Sequence, residues 1–262
     1  TSILNHNPPL CVNNRLRSVI LQTELCFGKN KIHFFFEKEE AFSGMELVPN
    51  THRLALMNQY LHGMDGRLDQ GDSLSAAGKW MKNFDVILTN PPFGDDRAFE
   101  PKDAKEKDIL ECYETWNLYG GNKIDLGVLF LENAYRILND NGRMGIVLSN
   151  SIASIDSHKE ARKWLMERMR IVAIFDLPAN VFGETGVNTS VIVAYKPKES
   201  ELEKLKKTNY QVFFKGIDKV GYEVKTSKRV KFFSPIYKVN YETFETVIDN
   251  EGCVVLDEEF SE

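Results

Sequence analysis

Residues 85–94 read DVILTNPPFG, and the reading of this stretch decides the rest. Val86, Ile87 and Leu88 form a short apolar run suited to a buried strand. The run breaks at Asn90-Pro91-Pro92-Phe93, where two prolines stop the strand. Ligands of open α/β sheets sit at the carboxyl ends of the strands, and Asn90 stands at such an end. Its side-chain oxygen can accept a hydrogen bond, and so can the backbone carbonyl of Pro91. Pro92 has no N–H and a fixed φ, so the turn is stiff and the acceptors hold their aim. Phe93 adds a flat face for stacking.

Two fixed acceptors and a ring suit a planar group that carries –NH2. The nitrogen of such a group is a poor nucleophile, because its lone pair is delocalised. Accepting both of its hydrogens favours a pyramidal nitrogen whose lone pair is free to attack, a matter of placement and electrostatics. That is amino-group methylation. The plainer alternative is a proline-stopped strand end with no chemistry.

Outward from this strand the chain alternates. SGMELV reads as a strand running into NTHRLALMNQYLHGM, where Leu54, Met57, Leu61 and Met64 recur at helical spacing and Asn50 or Thr51 can cap. RLDQGDSL is a strand and turn. The polar segment GDDRAFEPKDAKEKDILECYETWNLYGGN reads as a long mobile loop. DLGVLFLENAYRILNDNG is a helix with Leu126, Leu129, Phe130, Ala134 and Leu138 facing inward, ended by Gly142. RMGIVLSNS is a strand, SHKEARKWLMERM a helix, RIVAIFDLP a strand and TSVIVAYKP the last strand. This order predicts an α/β fold with a doubly wound, mostly parallel sheet. The two last strands lie close together with no helix between them, so one is expected to run antiparallel. In residues 1–43, VNNRLRSVILQTELCFG reads as a short amphipathic helix and KIHFFFEKEE as a strand. KESELEKLKK is a charged helix, and YQVFFKGIDKVGYEVKTSKRVKFFSP a small β extension. Three parts follow: 1–43, a core over 44–197, and an extension over 198–262.

Composition sets bounds. The chain has 262 residues, 42% hydrophobic and 27% charged, as an ordinary globular protein does. The net charge of −5 argues against a free-standing, high-affinity binder of the phosphate backbone. It leaves room for a subunit whose partners supply the basic surface. Cys11, Cys26, Cys112 and Cys253 stand far apart without zinc-site spacing, so no metal and no disulfide are expected. With no apolar run of about 20 residues, the expected location is the cytoplasm.

The motifs resemble a known family. Asn90-Pro91-Pro92-Phe93 is similar to the NPP[FYW] motif of amino-methyltransferases that use S-adenosylmethionine. Three stretches narrow the match to the adenine-N6 DNA methyltransferase (M) subunits of type I restriction–modification systems: GMELVPNTHRLALMNQYLHG with GDSL, DVILTNPPFG, and FDLPANVFGETGVNTSVIVAYK. The resemblance implies a Rossmann-like S-adenosylmethionine-dependent methyltransferase fold. It implies that Glu46 binds the cofactor ribose hydroxyls and that Asp72, supported by Ser73, accepts from the amino group of its adenine. It implies that Asn90, Pro91, Pro92 and Phe93 hold a flipped target base, with Asn90 also facing the cofactor. Asn188 and Thr189 are further candidates for the base pocket, and Asp125 and Leu126 for the cofactor's surroundings. For Glu46, Asp72, Asn188 and Thr189 a plain strand-end or turn role stands beside the functional one. His62 is read as a packed or helix-terminal histidine.

The implied partners are DNA, a specificity subunit and a restriction subunit. NPP-type motifs also leave open RNA guanine N2, a protein glutamine amide, or an inactive scaffold domain. The family's cofactor cradle, a DPxCGxGG-like stretch, has no counterpart in residues 1–45, where Gly28 and Gly44 are isolated. Since the chain opens on Thr1, the expectation is truncation just after the cradle, with a degenerate domain as the alternative. Weak or absent S-adenosylmethionine binding is expected of these 262 residues alone.

Overall fold

The computed structural model describes residues 18–21, 42–64, 66–93, 98–101, 103–121, 123–179, 181–182, 186–227 and 230–259. The first half contains β1 (Ser18–Leu21), β2 (Phe42–Glu46), α1 (Pro49–Leu61), β3 (Arg67–Gln70), β4 (Phe84–Thr89), β5 (Ala98–Phe99), α2 (Ala104–Leu110), α3 (Glu114–Leu118) and β6 (Ile124–Asp125). Then come α4 (Leu126–Ile137), β7 (Leu138–Ser149), α5 (Asn150–Ser154), α6 (Lys159–Met166), β8 (Arg170–Asp176) and β9 (Thr189–Tyr195). The chain closes with α7 (Glu199–Leu205), β10 (Phe213–Gly216), β11 (Tyr222–Ser227) and β12 (Val230–Pro235).

Eight strands form one sheet in the order β10-β8-β9-β7-β4-β1-β2-β3. The pairs β4–β7, β2–β3 and β8–β10 are parallel. β9 runs antiparallel to both β7 and β8, as the short connection before it predicts. β1 is antiparallel to both β2 and β4. All other strands share one direction, so the carboxyl ends of β2, β3, β4, β7 and β8 lie on one edge of the sheet. The amino end of β9 joins them there.

α4 sits at the centre of the packing. Leu126, Leu129, Phe130 and Ala134 are buried, as their spacing predicts, and they share one core with Ile87 of β4 and Met144, Ile146 and Leu148 of β7. The helix ends earlier than expected, at Ile137, and Leu138 begins β7. Gly142 therefore lies inside a strand, where a Cβ would come within 2.8 Å of the Asn139 carbonyl oxygen and the Leu138 side chain.

Other expectations need correction. Ser18–Leu21, read as part of a helix, is a strand seated between β4 and β2, so β-branched Val19 and Ile20 follow their sheet propensity. The KIHFFFEKEE reading lies outside the described residues. Val48 precedes α1 without a side-chain cap, and Thr51 is buried inside the helix. Leu54, Met57 and Leu61 are exposed, Leu61 at 76%. In β4, Leu88 is exposed while Ile87 is buried, so this strand is covered on one face only at that point. The segment read as a mobile loop holds α2 and α3, and Trp116 is only 1% exposed. The reason is a distant cap: buried Glu132 of α4 accepts from the Glu114 and Thr115 amides at 2.9 and 2.8 Å and from the Thr115 hydroxyl at 2.8 Å. The first-turn donors of α3 are thus satisfied by another helix. Within the extension, β10 adds to the main sheet beside β8, and β11 pairs with β12.

Candidate active site

The sheet edge formed by the carboxyl ends of the parallel strands carries the polar residues singled out above. β4 ends at Thr89, and the stiff turn follows at once with Pro91 and Pro92 buried. Asn90 Oδ1 is buried and has no hydrogen-bond partner among the described residues. Leaving a buried carbonyl oxygen unsatisfied costs about 1–3 kcal/mol, which a donor from a ligand recovers. Beside it lies a small cleft lined by Pro91, Pro92, Phe93, Asp125, Gly127, Leu148, Ser149 and Ile152.

Each wall of this cleft has a local cause. Asp125 caps α4 by accepting from the Gly127 amide at 2.8 Å. Gly127 is there because nothing larger fits: a Cβ would meet Ile152 Cδ1 at 2.8 Å and Leu148 Cδ2 at 3.2 Å. Ser149 ends β7 and caps α5, accepting from the Ser151 amide at 3.3 Å. Near Asp125, the Tyr119 hydroxyl shares a 2.7 Å hydrogen bond with His158 Nδ1. Burial, helped by the charge of Asp125, pushes the Tyr119 pKa up to about 12, so this hydroxyl keeps its proton at neutral pH.

Phe93 meets a second ring. Its centroid lies 5.3 Å from that of Phe182, with the planes tilted by 42°. Phe182 belongs to the connection between β8 and β9, whose base is tied down by polar contacts. Asn150 donates to Asp176 at 2.8 Å, Ser190 donates to Asn150 at 2.5 Å, and the Leu177 amide donates to the Thr189 carbonyl at 2.9 Å. Thr189 lies opposite Ser149 in the β7–β9 ladder. It is fully buried, with an Oγ1 that has no partner among the described residues. Asn188 is exposed and contributes its backbone carbonyl, which accepts from the Asn150 amide.

A second group stands farther along the same edge. Glu46, at the end of β2, is fully buried, and its Oε1 accepts from the Val48 amide at 2.6 Å. Asp72 follows β3 and accepts from the Leu74 amide at 3.0 Å. The Ser73 Oγ is buried without a partner among the described residues. His62 is exposed and stands at the carboxyl cap of α1, as its helix-terminal reading predicts.

The structure therefore brings Pro91, Pro92 and Phe93 to one cleft, with Asn90 next to them in the chain, and sets Glu46, Asp72 and Ser73 on neighbouring strand ends. Thr189 joins the buried part of the edge, whereas the Asn188 side chain is exposed. Sequence reasoning missed Phe182, Gly127, Ser149 and Ile152 as parts of the site. For Phe182 a signal was present, since it lies within the LPANVF stretch. Among the described residues there is no cluster of three or more metal-ligating side chains, and no helix is long and apolar enough to cross a membrane.

With this geometry in place, comparison with known proteins is informative. The family model for N-6 DNA methylases matches residues 18–252. The methylase subunit of the type I restriction enzyme EcoKI from Escherichia coli K12 is 31% identical over 164 residues, which cover 60% of this chain and 28% of that protein. The StySPI methylase subunit from Salmonella potsdam is 32% identical over the same shares. The crystal structure of the EcoKI M protein superposes with a TM-score of 0.54 at 25% identity, covering 65% of this chain and 34% of the other. A Listeria monocytogenes protein assigned to the class I S-adenosylmethionine-dependent methyltransferases shares the fold, with a TM-score of 0.55 at 16% identity. The chain thus spans less than a third of the length of these two curated relatives, the EcoKI and StySPI methylase subunits. Asn90-Pro91-Pro92-Phe93 at the end of β4, in a chain matched over most of its length, makes this protein a member of the N-6 DNA methylase family.

Proposed function

We propose that this chain is part of the catalytic core of a type I restriction–modification M subunit, which transfers a methyl group to the N6 amino nitrogen of adenine in DNA. The observation that carries the reading is Asn90 Oδ1, a buried acceptor three residues before Phe93 with no hydrogen-bond donor among the described residues. In this reading a base flipped out of the duplex stacks on Phe93, with Phe182 as the second wall. Its amino group donates one hydrogen to Asn90 Oδ1 and the other to the Pro91 carbonyl. Both N–H bonds are then committed, and the nitrogen lone pair points away from the ring plane. Pro91 and Pro92, buried and conformationally fixed, keep the two acceptors from following the base. Thr189 Oγ1, and less directly Asn188, border the pocket.

The second group on the edge suits the cofactor that the family implies. Two carboxylates and the buried Ser73 hydroxyl, which has no partner among the described residues, fit the adenosine end of S-adenosylmethionine. Glu46 would hold the ribose diol and Asp72 the adenine amino group, each carboxylate oriented by a neighbouring backbone amide. When bound, the cofactor supplies an electrophilic methyl. For its methionine end residues 1–45 hold no glycine-rich loop, and β1 runs antiparallel to its neighbours, so its amino end is the one at the site. Weak binding by these residues alone remains the expectation. DNA, a specificity subunit and a restriction subunit are the proposed partners of the whole protein, in the cytoplasm. Matching an N-6 DNA methylase family favours adenine in DNA over RNA guanine or a glutamine amide.

The test is nucleoside selectivity. Titration followed by NMR should show deoxyadenosine binding more tightly than deoxyguanosine or deoxycytidine, with the preference lost in Asn90→Ala. Equal binding of all three by the unaltered chain would contradict the reading.

A further inference from the structure

We propose that Tyr222, in the C-terminal extension, is a positioning residue that holds Phe182 against Phe93 and so sets the second wall of the base slot. The inference rests on the base-pocket reading above. Tyr222 opens β11, and its hydroxyl donates to the Val181 carbonyl at 2.8 Å. Val181 is buried, and the next residue is Phe182, whose ring touches Phe93. One hydrogen bond therefore separates the extension from the wall of the pocket.

The surroundings of Tyr222 hold it in place. Its ring packs edge-on against Phe233 of β12, with centroids 5.0 Å apart and an interplanar angle of 87°. Leu177, Val181, Ile217 and Val220 form a small core distinct from the main one, and both Phe182 and Tyr222 pack on it. Half of that core comes from the β8–β9 connection and half from the segment joining β10 to β11. Gly221 places Tyr222 by adopting φ +79°, a conformation that side chains rarely take, and its amide donates to the Asp257 carbonyl at 3.0 Å.

Two of the anchors that the described residues give the β8–β9 connection differ in kind. Its base is fixed by Asn150, Asp176 and Ser190, all within the core sheet and the start of α5. Its middle, next to Phe182, is fixed by Tyr222 from the extension. Without the Tyr222 hydroxyl, the backbone beside the ring is held by the small core's packing alone. A second anchor holds the ring in advance, so less order is lost when a base arrives.

Deoxyadenosine affinity of the 262-residue chain, measured by NMR titration in a double-mutant cycle, separates positioning from general stabilisation. Tyr222→Phe keeps the ring contacts and removes only the hydroxyl. It should weaken deoxyadenosine about three- to tenfold, the scale of one hydrogen bond. In a Phe182→Ala background the same change should have no effect, because the ring it acts through is gone. Unchanged affinity in Tyr222→Phe, or equal weakening in both backgrounds, would overturn the proposal. A wild-type chain that binds no deoxyadenosine would count against the base-pocket reading instead. The positioning claim is then decided by hydrogen exchange at the Val181 and Phe182 amides: faster exchange in Tyr222→Phe supports it, and unchanged exchange overturns it.

Discussion

In α4 every residue from Leu126 to Ala134 is buried, whereas α1 leaves Leu54, Leu56, Met57, Tyr60 and Leu61 in solvent. Both helices follow a strand, and both carry apolar residues at helical spacing. The difference lies in what surrounds them. α4 packs on β7 and is joined by α3 through the buried Glu132 carboxylate, while α1 contacts β2 and β3. Periodicity marks the face that gains from burial. It says nothing about whether another element arrives to cover that face. The site follows the same division, because Asp125 and Gly127 begin the fully packed helix and inherit its rigidity.

Truncation experiments can break this comparison. Phe130→Ala in α4 should have the largest effect, about 3–5 kcal/mol of unfolding free energy measured by denaturant titration. Next is Gly127→Ala. The added methyl has no room beside Ile152 and Leu148, so a loss of about 1–3 kcal/mol is expected, together with a narrowed cleft and weaker deoxyadenosine binding. Smallest is Leu61→Ala in α1, expected within about 0.5 kcal/mol of the unaltered chain by the same titration. A Leu61→Ala effect as large as that of Phe130→Ala would mean that the two helices are equally covered, and the contrast would fall.

The contrast also explains what could be read beforehand. β4, β8, β9 and the second half of β7 were legible because each is a short apolar run bounded by turn residues, and an antiparallel member among the last two strands followed from the lack of a helix between them. Asn90 and Phe93 were legible because residue types at a strand end carry chemistry whatever the rest of the chain does. Less local features were hidden. Helix α3 depends on Glu132, a residue of the following helix, so its own polar sequence looks like a loop. The approach of Phe182 to Phe93 joins two strand connections that only the folded sheet brings together. That Asn90 Oδ1 finds no donor among the described residues is a property of the packed state, beyond what any spacing encodes.

The account rests on that oxygen meeting an exocyclic amine. Its most direct test compares deoxyadenosine with purine deoxyriboside, the same nucleoside without the amino group. Two hydrogen bonds of about 1 kcal/mol each correspond to a preference for deoxyadenosine of roughly thirtyfold, and Asn90→Ala, which removes one of them, should cut it about fivefold. Equal affinity of the unaltered chain for the two nucleosides, or a preference undiminished in Asn90→Ala, would contradict the central claim.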